Sequence, residues 1–361
     1  MRASVEDCVR PSRRIAGCEP YASPTPPYPI DLWLNGNEGA GPPAGLIERV
    51  RDRFAELVRR YPDAGALQAL LAERFGLSPD RVLITAGADD ALYRACMVML
   101  DPERDVVLPT PTFEMLDRYS RLAGGRVVEV EWLSDACPVD AMIAAVTDRT
   151  AMVVVVSPNN PTGAVATADD LRRLSAGAPQ ALLLVDLAYG EFGDEDLTPA
   201  ALALPNALVA RTLSKAWGLA GLRVGYALGP PHVIRWLKTV GNPYAVSGVS
   251  LALAAAWVLE GEDVLEAFVG RVREERTQLA KVLREVGADP VPSQANLVLA
   301  RFADAAWTWE RLARRGIAVR AFPGHRQLSG CLRITCPGEA SAFARLVDAL
   351  RDVANERVGE E

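Results

Sequence analysis

Lysine is scarce in this chain. Only Lys215, Lys238 and Lys281 occur among 39 basic residues in a length of 361, so any chemistry that needs a side-chain amine has few candidates. Histidine is scarcer, with His232 and His325 alone. The six cysteines (Cys8, Cys18, Cys96, Cys137, Cys331, Cys336) form no C-x-x-C pair, and with two histidines the pattern offers no zinc site of the usual kind. The N-terminal MRASVEDCVRPSRR lacks the apolar run of a secretory leader, and scattered thiols fit an expectation of a cytoplasmic protein with reduced cysteines. Apolar runs such as 151–156 and 181–185 are far too short to span a bilayer, so no membrane partner is expected. No G-x-G-x-x-G follows a first strand, and there is no G-x-x-x-x-G-K-[ST]; the nicotinamide and P-loop fingerprints are both missing. The net charge of -7 (46 acidic residues against 39 basic) has the wrong sign for a nucleic-acid binder.

What is present is material for a large core. Hydrophobic residues make up 50% and charged residues 24%, enough for a globular chain of more than one unit. Residues 1–30 are rich in proline, serine and charge and read as an extended arm. Leu46, Ile47, Val50, Phe54, Leu57 and Val58 recur at helical spacing and predict one amphipathic helix over 44–60. Seven short apolar runs then alternate with helical patterns: 82–85, 105–109, 127–130, 152–157, 182–186, 208–212 and 224–228. Most are continuous and aliphatic, as strands covered on both faces are. This predicts an α/β fold with a mostly parallel sheet between helices. A helical stretch over 249–286 is broken near Gly261. Beyond Pro290, strands near 297–302, 316–321 and 331–335 and helices near 304–315 and 339–354 predict a smaller α+β unit. The expected division is an arm over 1–40 packing with the small unit, a large unit over 41–264 and a small unit over 265–361.

Four constellations carry chemistry. The first is Thr212-Leu213-Ser214-Lys215 with Arg223 eight residues on. An amine beside two hydroxyls and a guanidinium suits a Schiff base to a phosphorylated aldehyde, since the hydroxyls and arginine can hold the phosphate. The plain alternative is a strand end with a snorkelling lysine. The second is Ser157-Pro158-Asn159-Asn160-Pro161-Thr162-Gly163, a stiff turn at the carboxyl end of a buried strand, where ligands collect in open α/β sheets. The third is Asp186 with Tyr189. A carboxylate at the mouth of an apolar strand needs a cation or good donors, which a protonated pyridine nitrogen would supply; a helix N-cap is the plain alternative. The fourth is Thr85-Ala86-Gly87-Ala88-Asp89-Asp90 before a helical run, where backbone N–H groups make an anion site or the aspartates simply cap the helix.

In this order, S-P-N-N-P-T-G, D-x-x-Y and T-L-S-K-x-x-x-L-A-G-L-R-x-G resemble the fold-type I, pyridoxal-phosphate-dependent aminotransferases of class I/II, and most of all the histidinol-phosphate aminotransferase branch. The resemblance runs from Leu34-Asn35-Gly36-Asn37-Glu38 through Tyr61-Pro62-Asp63 to Gly330-Cys331-Leu332-Arg333-Ile334-Thr335. It implies a large domain with a mostly parallel sheet, a smaller α+β domain, and pyridoxal 5'-phosphate as cofactor. It implies that Lys215 forms the Schiff base and moves the substrate Cα proton, that Asp186 pairs with the ring nitrogen, and that Asn160 and Tyr189 bond the ring's phenolic oxygen. Ala88, Asp89, Thr212, Ser214 and Arg223 would hold the phosphate, and Phe113 would stack on the ring where many relatives have tyrosine. Tyr61 would reach the cofactor phosphate of a second subunit, which implies a homodimer with shared sites. Arg333 would grip the substrate carboxylate bidentately, with Asn37 nearby, and Arg320 matches a second anion-binding arginine of that branch, though a solvated arginine reads equally well.

Two departures bear on the substrate. Relatives often carry N-E-N-P where this chain has Asn37-Glu38-Gly39-Ala40, so Gly39 would leave a side chain missing near the substrate mouth. The segment 322–327 is also individual, and its His325 reads either as a substrate contact or, more commonly for a lone loop histidine, as a solvated residue. The implied partners are a small-molecule amino donor and a 2-oxo acid such as 2-oxoglutarate. Amino-group transfer leads. An enzyme on the same scaffold with another outcome at Cα, a decarboxylase for instance, stays open, because the motifs do not fix which bond stands perpendicular to the ring.

Overall fold

The computed structural model describes residues 11–15, 18–22, 24–133 and 136–360. The head of the expected arm, residues 1–10 with Cys8, lies outside the described residues. The strands in chain order are β1 (Leu32–Leu34), β2 (Val82–Thr85), β3 (Asp105–Thr110), β4 (Arg126–Glu131), β5 (Thr150–Val156), β6 (Leu182–Asp186), β7 (Ala207–Thr212), β8 (Gly225–Leu228), β9 (Asp289–Pro290), β10 (Leu297–Arg301), β11 (Ile317–Ala321) and β12 (Cys331–Thr335).

The seven apolar runs form one sheet in the order β2-β8-β7-β6-β5-β3-β4. Pairing is parallel from β7 through β4, and β8 alone runs against its two neighbours. The reason for the continuous aliphatic runs is visible along β5. Val153 and Val155 join the core on one side of the sheet, while Met152, Val154 and Val156 join the core on the other. Both faces are covered, so both sets of alternate side chains are apolar. β4 is the exception: it closes an edge, and its Arg126, Glu129 and Glu131 are exposed.

The chain leaves β3 outward to β4 and then returns to the other side of β3 as β5. The turns after β3 and β5 therefore diverge, which opens a crevice at the carboxyl ends of these strands. That switch point positions the site.

The second sheet has the order β1-β11-β12-β10-β9. Its first strand comes from the other end of the chain: Leu32, Trp33 and Leu34 pair in parallel with Ile317, Ala318 and Val319, and Asp31 is ion-paired to Arg345 at 2.7 Å. The break at Gly261 separates helices Gly248–Glu260 and Glu262–Glu285. The second of these runs straight through position 264/265, where the sequence suggested a boundary. The last helix extends to Glu360, past its expected end.

The expected single helix over 44–60 is not formed. Two 3-10 turns, Ala44–Arg49 and Arg51–Arg53, lead into a short α-helix, Phe54–Arg59. Its apolar residues do not share one face. Leu46 and Val50 are buried, whereas Ile47, Phe54 and Val58 are exposed at 52%, 51% and 62%. The helical spacing was real, but it merged two stripes that face opposite ways.

Candidate active site

β7 and β6 end side by side, with Ala210 paired to Asp186. From these two ends Lys215 and Asp186 reach one cavity of about 420 Å³ at the switch point. Asp186 is buried, and its Oδ1 accepts the Ala188 N–H at 3.0 Å. It makes no ion pair among the described residues. Burial lifts its carboxyl from the ordinary 3.8 to about 7, with the Ala188 N–H and the more distant Lys215 opposing the rise. No helix begins at Asp186; a 3-10 turn follows only at Gly190, so the N-cap alternative does not apply. The Lys215 ammonium donates to the Gly36 carbonyl at 2.9 Å and lies 5.7 Å from the centre of the Tyr189 ring.

One end of the cavity is built for an anion. The helix Gly87–Met99 begins there, with Asp89 and Asp90 in its first turn. Asp90 turns back to accept the Ala86 N–H at 3.0 Å and pairs with the buried Arg94, so this aspartate is structural. Asp89 instead meets Arg223 at 3.1 Å. Thr212 and Ser214 share a hydroxyl–hydroxyl bond of 2.9 Å, and Arg223 donates to Ser214 at 3.4 Å. Arg223 itself has a left-handed backbone (φ 53), a strained choice for arginine that swings the guanidinium toward Gly87. A Cβ on Gly225 would stand 2.5 Å from the Ala88 nitrogen, and one on Gly87 would stand 2.7 Å from the Arg223 guanidinium. Both glycines keep the cradle open, and a phosphate fits this donor set of hydroxyls, guanidinium and helix N-terminus. The buried carboxylate of Asp186, without a cation, fits a protonated ring nitrogen.

The S-P-N-N-P-T-G turn divides its two asparagines. Asn159 is buried and knots the turn, donating to the Pro111 carbonyl and to Thr162 at 2.9 Å and accepting from Thr112 at 2.7 Å. Asn160 faces the cavity, where its Oδ1 accepts from Arg333 at 2.6 Å. Phe113, at the start of helix Glu114–Ala123, lines the same wall.

The other end is made by the second sheet. Arg333 on β12 and Arg320 on β11 are register partners, and both are buried. Leu332 and Ile334 point into the core on the far side, as strand alternation requires. Arg333 gives one amino group to Asn160 and the other to the Asn35 carbonyl, and its Nε has no partner. Burial, with a smaller contribution from the neighbouring Arg320 cation, pulls its pKa down. Arg320 donates to Glu114 at 2.9 Å.

Asn37 is buried and has a left-handed backbone (φ 55). Its amide donates to the Tyr189 hydroxyl at 2.9 Å, and its Oδ1 accepts from Thr335 at 2.8 Å. It orients Tyr189, whose oxygen accepts from it and whose own O–H is left to donate. Gly39 does not widen the mouth. A Cβ there would collide with the Lys215 carbonyl oxygen, and one on Gly218 with the Ala40 carbonyl. The glycine is required because the 39–41 backbone lies directly against the lysine's own turn.

All but one of the expected site residues line this cavity. The exception is Tyr61, which is 81% exposed and stacks on Tyr244 with ring centres 4.6 Å apart. Tyr21, Glu38, Glu114 and Phe322 are among the lining residues that had no expected role. His325, read as a solvated loop residue, is exposed and also borders the cavity, and partial burial lowers its pKa.

The family described as aminotransferase class I and II matches residues 32–350. The chain belongs to that family. It is 36% identical to the histidinol-phosphate aminotransferase of Paracoccus denitrificans over 85% of each chain. Among solved structures, it superposes on the histidinol-phosphate aminotransferase of Sinorhizobium meliloti in complex with pyridoxal-5'-phosphate with a TM-score of 0.82, at 26% identity, covering 91% of this chain and 92% of that one. It also superposes on the aspartate aminotransferase of Thermus thermophilus with maleate, with a TM-score of 0.81 at 25% identity, covering 96% of this chain and all of that one. The aminotransferase scaffold thus serves more than one substrate, and the scaffold alone does not select it.

Proposed function

We propose that this aminotransferase uses pyridoxal 5'-phosphate to move an amino group between an amino acid or phosphorylated amino alcohol and a 2-oxo acid such as 2-oxoglutarate. The observation that carries this reading is Asp186, a buried carboxylate without a cation, opening into the same cavity as the Lys215 amine. When bound, the cofactor ring draws electron density from the substrate Cα. Asp186 holds a proton on the ring nitrogen. Thr212, Ser214, Arg223 and the backbone at Ala88 and Asp89 hold the phosphate, and Phe113 covers one ring face. Asn160 and Tyr189 bond the ring's phenolic oxygen; Asn160 Oδ1 and the Tyr189 oxygen already act as acceptors, so each can donate from its own N–H or O–H without giving up its present partner. Arg333, whose only acceptors are neutral, fixes the substrate carboxylate. Lys215 would take the Cα proton and deliver it across the bridging nitrogen, to the carbon that was the cofactor's aldehyde.

The reading includes a homodimer. Tyr61 stands in solvent, as do Ile47, Phe54, Val58, Tyr244 and Leu259; a second copy would cover such exposed apolar side chains and bring Tyr61 to the partner's phosphate cradle. The described cysteines are free thiols, in keeping with a reducing cytoplasm. No helix among the described residues is long and apolar enough to cross a membrane.

The test is a half-reaction on the purified, cofactor-loaded enzyme. An amino compound should bleach the cofactor band and release its oxo product, and borohydride should fix the cofactor on Lys215. Lys215→Ala should stay folded and lose turnover by at least about 10³-fold. A Lys215→Ala protein that transfers amino groups at the wild-type rate would remove the assignment.

A further inference from the structure

Arg320 and Arg333 sit directly opposite each other on β11 and β12, two buried cations in register. Buried charges must be compensated, and the two are compensated differently. Among the described residues, Arg333 meets only neutral acceptors, Asn160 Oδ1 and the Asn35 carbonyl, and keeps a bare Nε. Arg320 meets a carboxylate, Glu114, at 2.9 Å. Burial first, and then this same carboxylate, raises the pKa of the Tyr21 hydroxyl. Tyr21, Glu114 and His325 all line the cavity with the two arginines. The substrate end of the site therefore offers one guanidinium without an acid partner and one already matched by the protein itself.

We infer that Glu114 is a specificity determinant that sets the charge of the substrate: the site takes amino acids with one carboxylate and a neutral or basic distal group, and handicaps phosphorylated amino alcohols and dicarboxylates. This rests on the aminotransferase reading and narrows it. The single carboxylate of such a substrate satisfies Arg333. Its distal group then faces an arginine–glutamate pair, to which a donor can bond without breaking the pair. A second carboxylate, or a phosphate dianion that spans both guanidiniums, can reach Arg320 only by displacing Glu114 or by lying beside it, carboxylate against anion. Glu114 is about half exposed, so it can swing into water; the outcome is a handicap and not an absolute bar. The same handicap falls on dicarboxylic oxo acids relative to monocarboxylic ones.

The test compares half-reaction kcat/KM for histidine, arginine and phenylalanine with that for glutamate and histidinol phosphate in the cofactor-loaded enzyme. Wild type should favour the best monocarboxylate over both dianions. Glu114→Gln should shift that ratio toward the dianions by about tenfold, a size set by a like charge at contact range and reduced by partial exposure. Glu114→Asp, which keeps the charge, should keep the wild-type preference. Wild-type preference for histidinol phosphate or glutamate, or an unchanged ratio in Glu114→Gln, would overturn the inference while leaving the aminotransferase reading in place. Failure of every amino compound to bleach the cofactor would overturn both.

Discussion

The Arg333 guanidinium donates to Asn160 Oδ1 at 2.6 Å, and this one bond ties β12 of the smaller sheet to the turn after β5 of the larger. The residue expected to hold the substrate is thus held, before substrate arrives, by a residue expected to hold the cofactor.

Replacing Arg333 should therefore act on binding more than on the chemical step. We expect Arg333→Ala to raise KM for carboxylate substrates by roughly tenfold to a hundredfold, the worth of a charged hydrogen-bonded contact. Arg333→Lys should recover only part, because an ammonium cannot present a planar fork. Steady-state kinetics on both variants decide it; an unchanged KM would move the carboxylate site elsewhere.

Asp186 makes the stability of the cofactor-free protein depend on pH in an unusual direction. Burial raises its folded-state carboxyl to about 7 from an ordinary 3.8. Between those values the folded chain keeps a proton that the unfolded chain has lost, so this group's contribution makes stability fall as pH rises through the window. We expect Asp186→Asn to lose that contribution. Denaturant unfolding of cofactor-free protein at about pH 5 and about pH 8 should show a larger fall for wild type than for Asp186→Asn. Equal falls would mean that Asp186 is charged at neutrality without its cofactor.

Gly39 gives a test in the opposite direction, restoring the residue that relatives often carry. A side chain there meets the Lys215 carbonyl oxygen, so we expect Gly39→Asn to lower stability by about 1–3 kcal/mol, the usual range for overpacking. Thermal unfolding with and without added cofactor checks it. A melting temperature equal to wild type would show that the 39–41 segment yields freely.

The sheet was legible because its strands are covered on both faces, which leaves aliphatic runs that end in charged or turn residues. Lys215, Asp186 and Asn160 were legible for a related reason: each lies at the end of such a run, where the chain turns polar. The 44–60 region was misread because Leu46 and Ile47 are neighbours in sequence and face different ways in space. Glu114 carries no local sign of its partner, since Arg320 lies 206 residues away. Tyr21 sits in an arm that sequence alone describes only as extended. The role of Gly39 was inverted because an absent side chain reads as space until the backbone that fills it is seen.

Two consecutive peptide carbonyls, Asn35 and Gly36, receive Arg333 and Lys215 respectively, just after β1 joins the smaller sheet. Trimming at the front of the chain therefore reaches further than the strand it removes. A cut that takes residues up to 36 would remove an acceptor of Arg333 and the acceptor of Lys215 in one stroke, although neither cation is near the cut in sequence.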